Sequence, residues 1–346
     1  MNRCRRAVQA LSACLALWLS GCGSSDENTP PPGQTSPGSG QLWVATTGIQ
    51  YLFGVDIASG KTGLSLELAT SPVEVSALVA GSGQVWAGRS DGSLLLVNEA
   101  SAKVDKTLSL ATTSDSIEQL VLGGGFAYAT AGSAREPHVF RVDTASGSFT
   151  QAPVISSASL FSGLLYDNGV LWVLADNEFK LSKVDATSLA VLSSVPLGQN
   201  PSDPLGARVD KYGAGFMAQV GGKLWVIDST TSQLLSVDKS TLVAKYVSDL
   251  KDLLEPSGAT IFTANQNSLF LALADQGKIV RMDGASGARV QTYTLETGAG
   301  HILAAGSGKL YLNSNQAGWD VSEVDIQSGM TTHKYTNLQP AWLALE

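Results

Sequence analysis

The most regular chemistry-bearing pattern in this 346-residue chain is an acid or its amide with a serine or threonine three positions later. The pairs are Asp56-Ser59, Asn98-Ser101, Asp143-Ser146, Asp185-Ser188, Asp238-Thr241, Asp283-Ser286 and Asp325-Ser328. Ca²⁺ accepts carboxylate and hydroxyl oxygens, but it needs six or more of them converging on one point. An Asp or Asn side chain also nucleates a turn by accepting bonds from the backbone N–H groups that follow it. Because each segment of chain carries one pair, the spacing favours seven turns over a calcium site.

An aromatic residue opens a short apolar run before each of these pairs. The seven aromatic residues are Trp43, Trp86, Tyr128, Trp172, Trp225, Phe270 and Tyr311, at intervals of 41 to 53 residues. A period of this length, built from short β-type runs, predicts an all-β fold, a seven-bladed β-propeller with one blade per repeat. Because the aromatic recurs at one position in every repeat, we interpret it as packing between blades and not as part of a ligand cage.

Each repeat contains four strand-like runs joined by tight turns. In the stretch from Val75 to Leu110, Gly81-Ser82-Gly83 and Asp91-Gly92 separate apolar runs, as hairpin turns do. The cluster Gly123-Gly124-Gly125 lies between two strands and lacks the Lys-Ser/Thr ending of a phosphate loop, so we assign it to a hairpin as well. The segment from Pro340 to Glu346 resembles the first strand of a repeat, but no second strand follows it. The segment from Gln41 to Ala45 resembles the second strand of a repeat, but no first strand precedes it. Pairing these two segments would close the ring in one blade.

Residues 1–21 have the pattern of a bacterial lipoprotein signal peptide. Arg3, Arg5 and Arg6 precede an apolar run that is too short to span a bilayer. The run ends in Leu19-Ser20-Gly21-Cys22, which resembles the lipobox. The resemblance implies acyl chains on Cys22, the only covalent group that we expect, and an ordinary signal peptide cut elsewhere is the alternative. The three cysteines of the chain are Cys4, Cys14 and Cys22, so the mature domain would have no thiol for a disulfide or a metal.

Residues 22–40 are predicted to be the lipidated cysteine and a disordered tether, with the propeller at 41–346. Gly23 to Gly40 contains no aliphatic or aromatic residue. The residue after the cysteine is Gly23. In the sorting pattern of enteric bacterial lipoproteins, an Asp at this position would keep the protein from the outer membrane, so the resemblance implies a cell-envelope protein of the outer membrane.

The net charge of −8 and the absence of a basic stripe argue against nucleic-acid binding. The expected partners are the membrane, through the lipid anchor, and a protein or cell-envelope component, with the propeller itself monomeric.

Phrases that recur across the repeats resemble the seven-bladed bacterial propellers of the YVTN and quinoprotein-like superfamily. These phrases include Leu42-Trp43-Val44-Ala45, Val55-Asp56-Ile57-Ala58-Ser59-Gly60-Lys61 and Val142-Asp143-Thr144-Ala145-Ser146-Gly147. The resemblance covers the whole mature domain, and it concerns fold, because the phrases are strands and turns. No Trp follows the turns, so the tryptophan-docking pattern of quinone-cofactor dehydrogenases is absent.

Two function classes fit this sequence. A non-catalytic binding or scaffold lipoprotein needs only a rigid disc with variable loops on one face, and this is the interpretation we favour. The alternative is a propeller enzyme, a metal-dependent lactonase or lyase, which needs carboxylates, Asn or His converging at the channel mouth. The chain has three histidines. His138 lies in the third repeat and His301 opens the first strand of the seventh, so these two need not meet, and His333 falls in an outer strand. No catalytic spacing is evident, and we assign no catalytic or metal-binding residue and no cofactor beyond the acyl chains.

Several acids fall at or just before the first strand of a repeat, the strand that lines the channel of a propeller. The candidate channel-mouth residues are Glu74, Glu118, Asp210, Glu255, Glu296 and His301. Like charges held close together attract cations, so we hypothesise an acidic funnel for a cation or a basic partner segment. The alternative is that these side chains face outward and keep the surface soluble.

The interval from Trp172 to Trp225 is 53 residues, about ten more than the others. The excess lies in Pro196 to Gly213, between the last strand of one repeat and the first strand of the next. Long loops on a rigid scaffold often carry recognition, although neutral insertions are tolerated at low cost. The candidate binding residues of this loop are Asn200, Asp203, Lys211 and Tyr212.

Overall fold

The structure is a computed structural model. It describes residues 40–46, 50–69, 73–111, 115–132, 138–152, 155, 161–175, 178–198, 216–228, 231–254, 260–265, 267–273, 276–295, 303–306, 308–313, 321–335, 338 and 340–345. Strands and turns account for these ranges, which contain no α-helix, as the sequence predicts. Among them, no helix is available that could cross a bilayer. The predicted signal peptide and tether lie outside the described residues.

The strands form seven antiparallel sheets of four, which we number as blades 1 to 7. Blade 1 contains β28 (Pro340–Leu345), β1 (Gln41–Thr46), β2 (Gln50–Asp56) and β3 (Thr62–Ala69). Blade 2 contains β4 (Val75–Gly81), β5 (Gln84–Arg89), β6 (Ser93–Asn98) and β7 (Lys103–Ser109). Blade 3 contains β8 (Ser116–Gly123), β9 (Phe126–Gly132), β10 (His138–Asp143) and β11 (Phe149–Gln151). Blade 4 contains β12 (Phe161–Asp167), β13 (Val170–Ala175), β14 (Lys180–Asp185) and β15 (Val191–Pro196). Blade 5 contains β16 (Phe216–Val220), β17 (Lys223–Asp228), β18 (Gln233–Asp238) and β19 (Ala244–Asp249). Blade 6 contains β20 (Thr260–Asn265), β21 (Ser268–Leu273), β22 (Lys278–Asp283) and β23 (Arg289–Thr294). Blade 7 contains β24 (Leu303–Gly306), β25 (Lys309–Asn313), β26 (Val321–Asp325) and β27 (Thr331–Tyr335).

Blade 1 joins the two ends of the chain. Its strand order is β28-β1-β2-β3, and Leu42 pairs with Leu345 while Trp43 pairs with Ala344. The other six blades are meanders in chain order. The predicted pairing of the N- and C-terminal strands is therefore confirmed, and it gives β1 a partner on both edges.

The first strands of the blades, which we call the inner strands, contact one another in a closed cycle. The order of contact is β28, β4, β8, β12, β16, β20, β24 and back to β28. A closed cycle of seven sheets through their innermost strands is a seven-bladed β-propeller. The predicted fold class and blade count are confirmed.

Apolar clusters between neighbouring blades hold the ring together. The cluster between blades 4 and 5 combines Trp172 and Leu181 of one blade with Leu224 and Leu235 of the next. All seven repeat aromatics are at most 2% exposed, which confirms their predicted role in packing. Each blade is therefore a sheet with both faces buried near the axis, and the outer strands carry the exposed surface.

The seven Asp-x-x-Ser/Thr pairs all form the predicted turn between the third and fourth strands of a blade. In each, the side-chain oxygen Oδ1 of the acid or amide accepts the backbone N–H of the Ser or Thr at 2.6–2.8 Å. In the six Asp turns the Ser or Thr hydroxyl donates to the same oxygen at 2.6–3.0 Å. These oxygens serve turns on separate blades, and the calcium alternative receives no support from them.

These turns also bind one blade to the next. Trp225 of blade 5 donates its indole N–H to the carbonyl of Gly284 at 3.1 Å, and Gly284 directly follows Asp283 in the turn of blade 6. Tyr128 of blade 3 likewise donates its hydroxyl to Ala186, the residue after Asp185, at 3.2 Å. In these two blades the repeat aromatic thus bonds to the following blade's turn, which links the two recurring features of the sequence.

The residue that closes each turn has a left-handed backbone. It is Gly in four blades, but in blade 2 it is Ala102, with φ 56°. Its N–H donates to the carbonyl of Asn98 at 3.0 Å, so the conformation is fixed by the turn. A side chain costs roughly 1–2 kcal/mol in this region, offset in part by the greater backbone freedom of Gly in the unfolded chain.

We therefore expect Ala102→Gly to stabilise the protein by about 1 kcal/mol, measured by urea unfolding. The matched control is the reverse change at the same turn position of blade 3, Gly147→Ala, at φ 76°. It should destabilise the protein, since the new methyl group also meets the Lys106 side chain at 3.0 Å. A destabilising Ala102→Gly would contradict the assignment of strain to this position.

Candidate functional site

The entrance of the channel on the side where the inner strands begin is shaped by β-bulges in four consecutive blades. Register shifts place one extra residue in the inner strand between two paired positions. The extra residues are Ala341 in blade 1, Ser76 in blade 2, Glu118 in blade 3 and Ser162 in blade 4. Bulges disrupt the ladder, bend the strand and often lie beside functional sites. We call this set of four residues the bulge arc.

Glu118 is the acid of the bulge arc. It follows Ile117, which pairs with Ala131, and precedes Gln119, which pairs with Thr130. Glu118 is half-buried, between the buried Ile117 and Gln119. Glu118 was a candidate residue from the sequence, and it lies on the inner strand β8.

Glu74 occupies a different level. It lies just before β4 and is exposed, and Ser90 accepts its backbone N–H at 2.9 Å. Val75 and Ile117 hold equivalent positions, because each directly precedes the extra residue of its bulge. Glu74 lies one residue before this level of the channel, and Glu118 lies one residue after it. The two acids are therefore near the same entrance but not at the same height of the channel.

Side chains connect the bulges of neighbouring blades. Ser76 donates its hydroxyl to the carbonyl of Ile117 at 2.6 Å, from blade 2 to blade 3. Gln119 donates its side-chain amide to the carbonyl of Phe161 at 3.1 Å, from blade 3 to blade 4. Ile117 and Phe161 are the residues directly before the extra residue of their bulges. The bonds thus give these bulge carbonyls a partner and fix the arc on both sides of Glu118.

The other candidate residues lie outside the described residues. They are Cys22, Asn200, Asp203, Asp210, Lys211, Tyr212, Glu255, Glu296 and His301. The structure therefore tests neither the predicted insertion loop nor the complete acidic funnel. Among the described residues, the candidate site is the bulge arc with Glu118.

Of the three histidines, the structure describes the side-chain contacts of His138, and these do not indicate a catalytic or metal-binding role. The Nδ1 atom of His138 lies 2.9 Å from the side-chain amide of Gln151, and its ring meets Phe140 edge-on. This is the environment of a hydrogen-bonded surface residue. Within the described part of the chain, no three His, Cys, Asp or Glu residues are grouped as metal ligands.

The turn aspartates share one electrostatic property. Hydrogen bonds from the following Ser or Thr lower the pKa of the carboxyl group, and in Asp238 the hydroxyl of Ser240 is the largest contributor. The backbone N–H of Ser328 is the main cause that brings the pKa of Asp325 to about 2. The bonds favour the charged form, so these carboxylates stay ionised while the turns are folded.

This property predicts acid sensitivity. A carboxyl group whose pKa falls below 3.8 on folding contributes stability that is complete above pH 3.8 and is lost as pH falls through its folded value. We expect the melting temperature to fall between about pH 4 and pH 2, where several turns protonate together. Melting curves recorded across this range measure the effect.

The chain offers its own control, because Asn98 forms the same turn with a side chain that does not titrate. The double variant Asp143→Asn, Asp185→Asn should keep its turns at neutral pH and lose less melting temperature on acidification than the unchanged protein. An identical pH profile for both proteins would show that these turns do not govern the acid transition.

Comparison with known proteins identifies the fold but no family. No protein-family model and no curated protein matches the chain. Solved structures do match. BamB from Moraxella catarrhalis aligns with a TM-score of 0.55 and 13% identity, covering 85% of this chain and 81% of that chain. The computationally designed Ika8 protein aligns with a TM-score of 0.59 and 13% identity, covering 86% and 89%.

A third similar structure is the dihydro-heme d1 dehydrogenase NirN in complex with DHE. It aligns with a TM-score of 0.60 and 11% identity over 89% of this chain and 66% of that chain. At such identities the likeness concerns the fold alone. The chain is a seven-bladed β-propeller. The superfamily within the propellers and the lipoprotein anchor remain predictions from the sequence.

The bulge arc was not predicted from the sequence. A bulge is a shift of register between two strands, and a single sequence does not specify register residue by residue. The available signal was weak: Ser76, Glu118 and Ser162 are polar residues of mainly apolar inner strands, each ten residues before the repeat aromatic.

Proposed function

We propose that the protein is a non-catalytic binding scaffold of the cell envelope, anchored by lipid on Cys22, which recognises a partner at the channel mouth. The supporting observation is the bulge arc, where four consecutive blades present an extra residue at one level and Glu118 is the acid among them. A half-buried carboxylate held in a fixed arc attracts a cation or a basic side chain more strongly than one on a mobile loop.

The repeated polar residues support a scaffold for a second reason. The seven acids or amides of the repeat are all engaged in turns, and aromatics of the same repeat pack beside them. The most regular polar chemistry of the sequence therefore builds the disc. Variable residues at the ends of the inner strands are left to provide recognition.

The anchor rests on the sequence. The Leu19-Ser20-Gly21-Cys22 motif follows a basic start and an apolar run, and the apolar-free segment up to Gly40 would separate the disc from the membrane. BamB is similar in fold, and this likeness is compatible with a scaffold without specifying a partner. No described residue favours the lactonase or lyase alternative.

The anchor is tested by metabolic labelling of the full chain with a radioactive or alkyne-bearing fatty acid in a bacterial host. The unchanged protein should incorporate the label and sediment with membranes. Cys22→Ala should lose both properties, whereas Cys14→Ala, inside the predicted signal, should keep them. Labelling of Cys22→Ala would exclude this anchor.

Recognition at the mouth is tested by isothermal titration of the folded domain with Ca²⁺ and with a lysine-rich peptide. We expect binding of one of these probes that Glu118→Gln weakens by about tenfold, since the variant removes the charge and keeps the shape. The matched control is Glu67→Gln, an exposed acid on β3, the outermost strand of blade 1. No heat with either probe, or equal heat from all three proteins, would contradict a role of Glu118 in binding.

A further inference from the structure

The chain enters the propeller through Gly40, which directly precedes β1. The carbonyl of Gly40 accepts the backbone N–H of Ile57 at 2.9 Å, and Ile57 follows Asp56 in the turn of blade 1. Gln41, the first residue of β1, pairs with Asp56, the last residue of β2. We call the end of the disc that carries the Asp-x-x-Ser/Thr turns the turn face. The entry of the chain is therefore fixed at the turn face.

The bulge arc lies at the opposite end of the same strand. Thr46, the last residue of β1, pairs with Pro340, and Ala341 is the extra residue that follows. β1 has six residues, and at the usual rise per strand residue its two ends are about 17 Å apart. The bulges of blades 2 to 4 hold the same place on their inner strands. The entry of the chain and the channel mouth are therefore on opposite faces of the disc.

A tether that leaves the turn face must run around the disc before the mouth can meet the bilayer. Since β2 separates β1 from β3, the outermost strand of blade 1, this path crosses about 10 Å to the rim and then about 17 Å along it. The path takes up the whole root-mean-square span of the predicted tether, roughly 25 Å when residues 23–40 are treated as a coil. With the turn face towards the bilayer, the full span remains between disc and lipid. The point of attachment therefore favours an outward mouth.

The turn face itself is polar and charged. The turn beside the chain entry exposes Asp56, Ala58, Ser59 and Lys61. Six turn aspartates ring this face, and the hydrogen bonds of their turns lower the pKa of each carboxyl group, so the carboxylates are ionised at neutral pH. Ionised groups lose hydration in hydrocarbon, so this face does not insert into the bilayer. The tether, and not adhesion of the disc, then sets which face is turned to the lipid.

We propose that the lipid anchor holds the disc with its turn face towards the bilayer and its channel mouth away from it. The inference rests on the proposed anchor at Cys22, and it adds the direction from which the partner comes. The basic segment that Glu118 attracts then belongs to a protein that reaches the mouth through the aqueous space, because lipid headgroups and membrane-embedded proteins of the same bilayer lie on the far side of the disc.

The two ends of β7 in blade 2 provide a matched pair of probe positions. Lys103 begins this outer strand at the turn face, where it pairs with Asn98, and Ser109 ends it on the mouth side. Both residues are exposed. Lys103→Cys and Ser109→Cys are each produced as the full chain, purified from bacterial membranes and labelled with a maleimide donor dye. The labelled proteins are added to preformed vesicles of phosphatidylethanolamine and phosphatidylglycerol that contain an acceptor-labelled lipid.

We expect stronger energy transfer to the lipid from position 103 than from position 109. The difference corresponds to a distance from the lipid plane that is shorter by up to about 20 Å, the length of β7. Equal transfer from both positions, or stronger transfer from position 109, overturns the proposed orientation. Val243→Cys and Lys251→Cys, at exposed positions on either side of β19 in blade 5, repeat the comparison, so the result does not depend on the folding of one pair.

The unchanged protein separates failure of the orientation from failure of the anchor. An acylated Cys22 has no free thiol, and the predicted cleavage removes Cys4 and Cys14, so the unchanged protein should take up no dye. Uptake of dye by the unchanged protein, or a lack of vesicle binding, contradicts the anchor and overturns the orientation with it. An unchanged protein that takes up no dye and binds vesicles, combined with equal transfer from the two labelled positions, overturns the orientation alone.

A longer tether tests the cause of the orientation. Inserting a second copy of residues 23–39 after residue 39 allows the tether to reach around the disc, so the difference in transfer between positions 103 and 109 should shrink. A difference that stays the same would show that the turn face adheres to lipid by itself, and it would overturn the tether as the cause.

Discussion

The turn of the Asp-x-x-Ser/Thr pair is the interaction on which the ring depends. It reverses the chain between the two outer strands of a blade, and it exposes a backbone carbonyl that the preceding blade can bind, as Gly284 and Ala186 do. In these blades the motif thus sets both the local geometry and a contact between blades. The loss of one such turn would therefore weaken the contact with the preceding blade.

The outer rim, in contrast to the turns, varies from blade to blade. Near the axis, the repeat aromatics leave little space, and the interfaces resemble one another. Towards the rim the blades diverge, and each outer strand must fill the gap with whatever side chain it carries. Tyr293 of blade 6 reaches the next turn, whereas Val195 and Ser248 hold the equivalent position in blades 4 and 5. Packing at the rim is therefore a property of individual residues on a repeated frame.

The sequence predicted the fold in detail because its signals are local and repeated. The turn of Asp143 needs only the residues up to Gly147, and the period of the aromatics counts the blades. Closure was predictable too, since the segment at Trp43 lacked a first strand and the segment at Leu343 lacked a second. The candidate sites were less accessible. Glu118 could be selected as an acid on an inner strand, but its bulge and its level relative to Glu74 depend on register between strands.

The outer strands show the limit of the sequence more sharply. The position that Tyr293 holds in blade 6 is held by Tyr335 in blade 7, Ser248 in blade 5 and Val195 in blade 4. No local motif marks this position, and its equivalence appears only through the register of the paired strands. Comparison of the blades therefore shows which positions the repeat constrains and which it leaves to vary. In such proteins the residues that depart from the repeat, not those that maintain it, are the candidates for recognition, because the frame already satisfies the demands of folding.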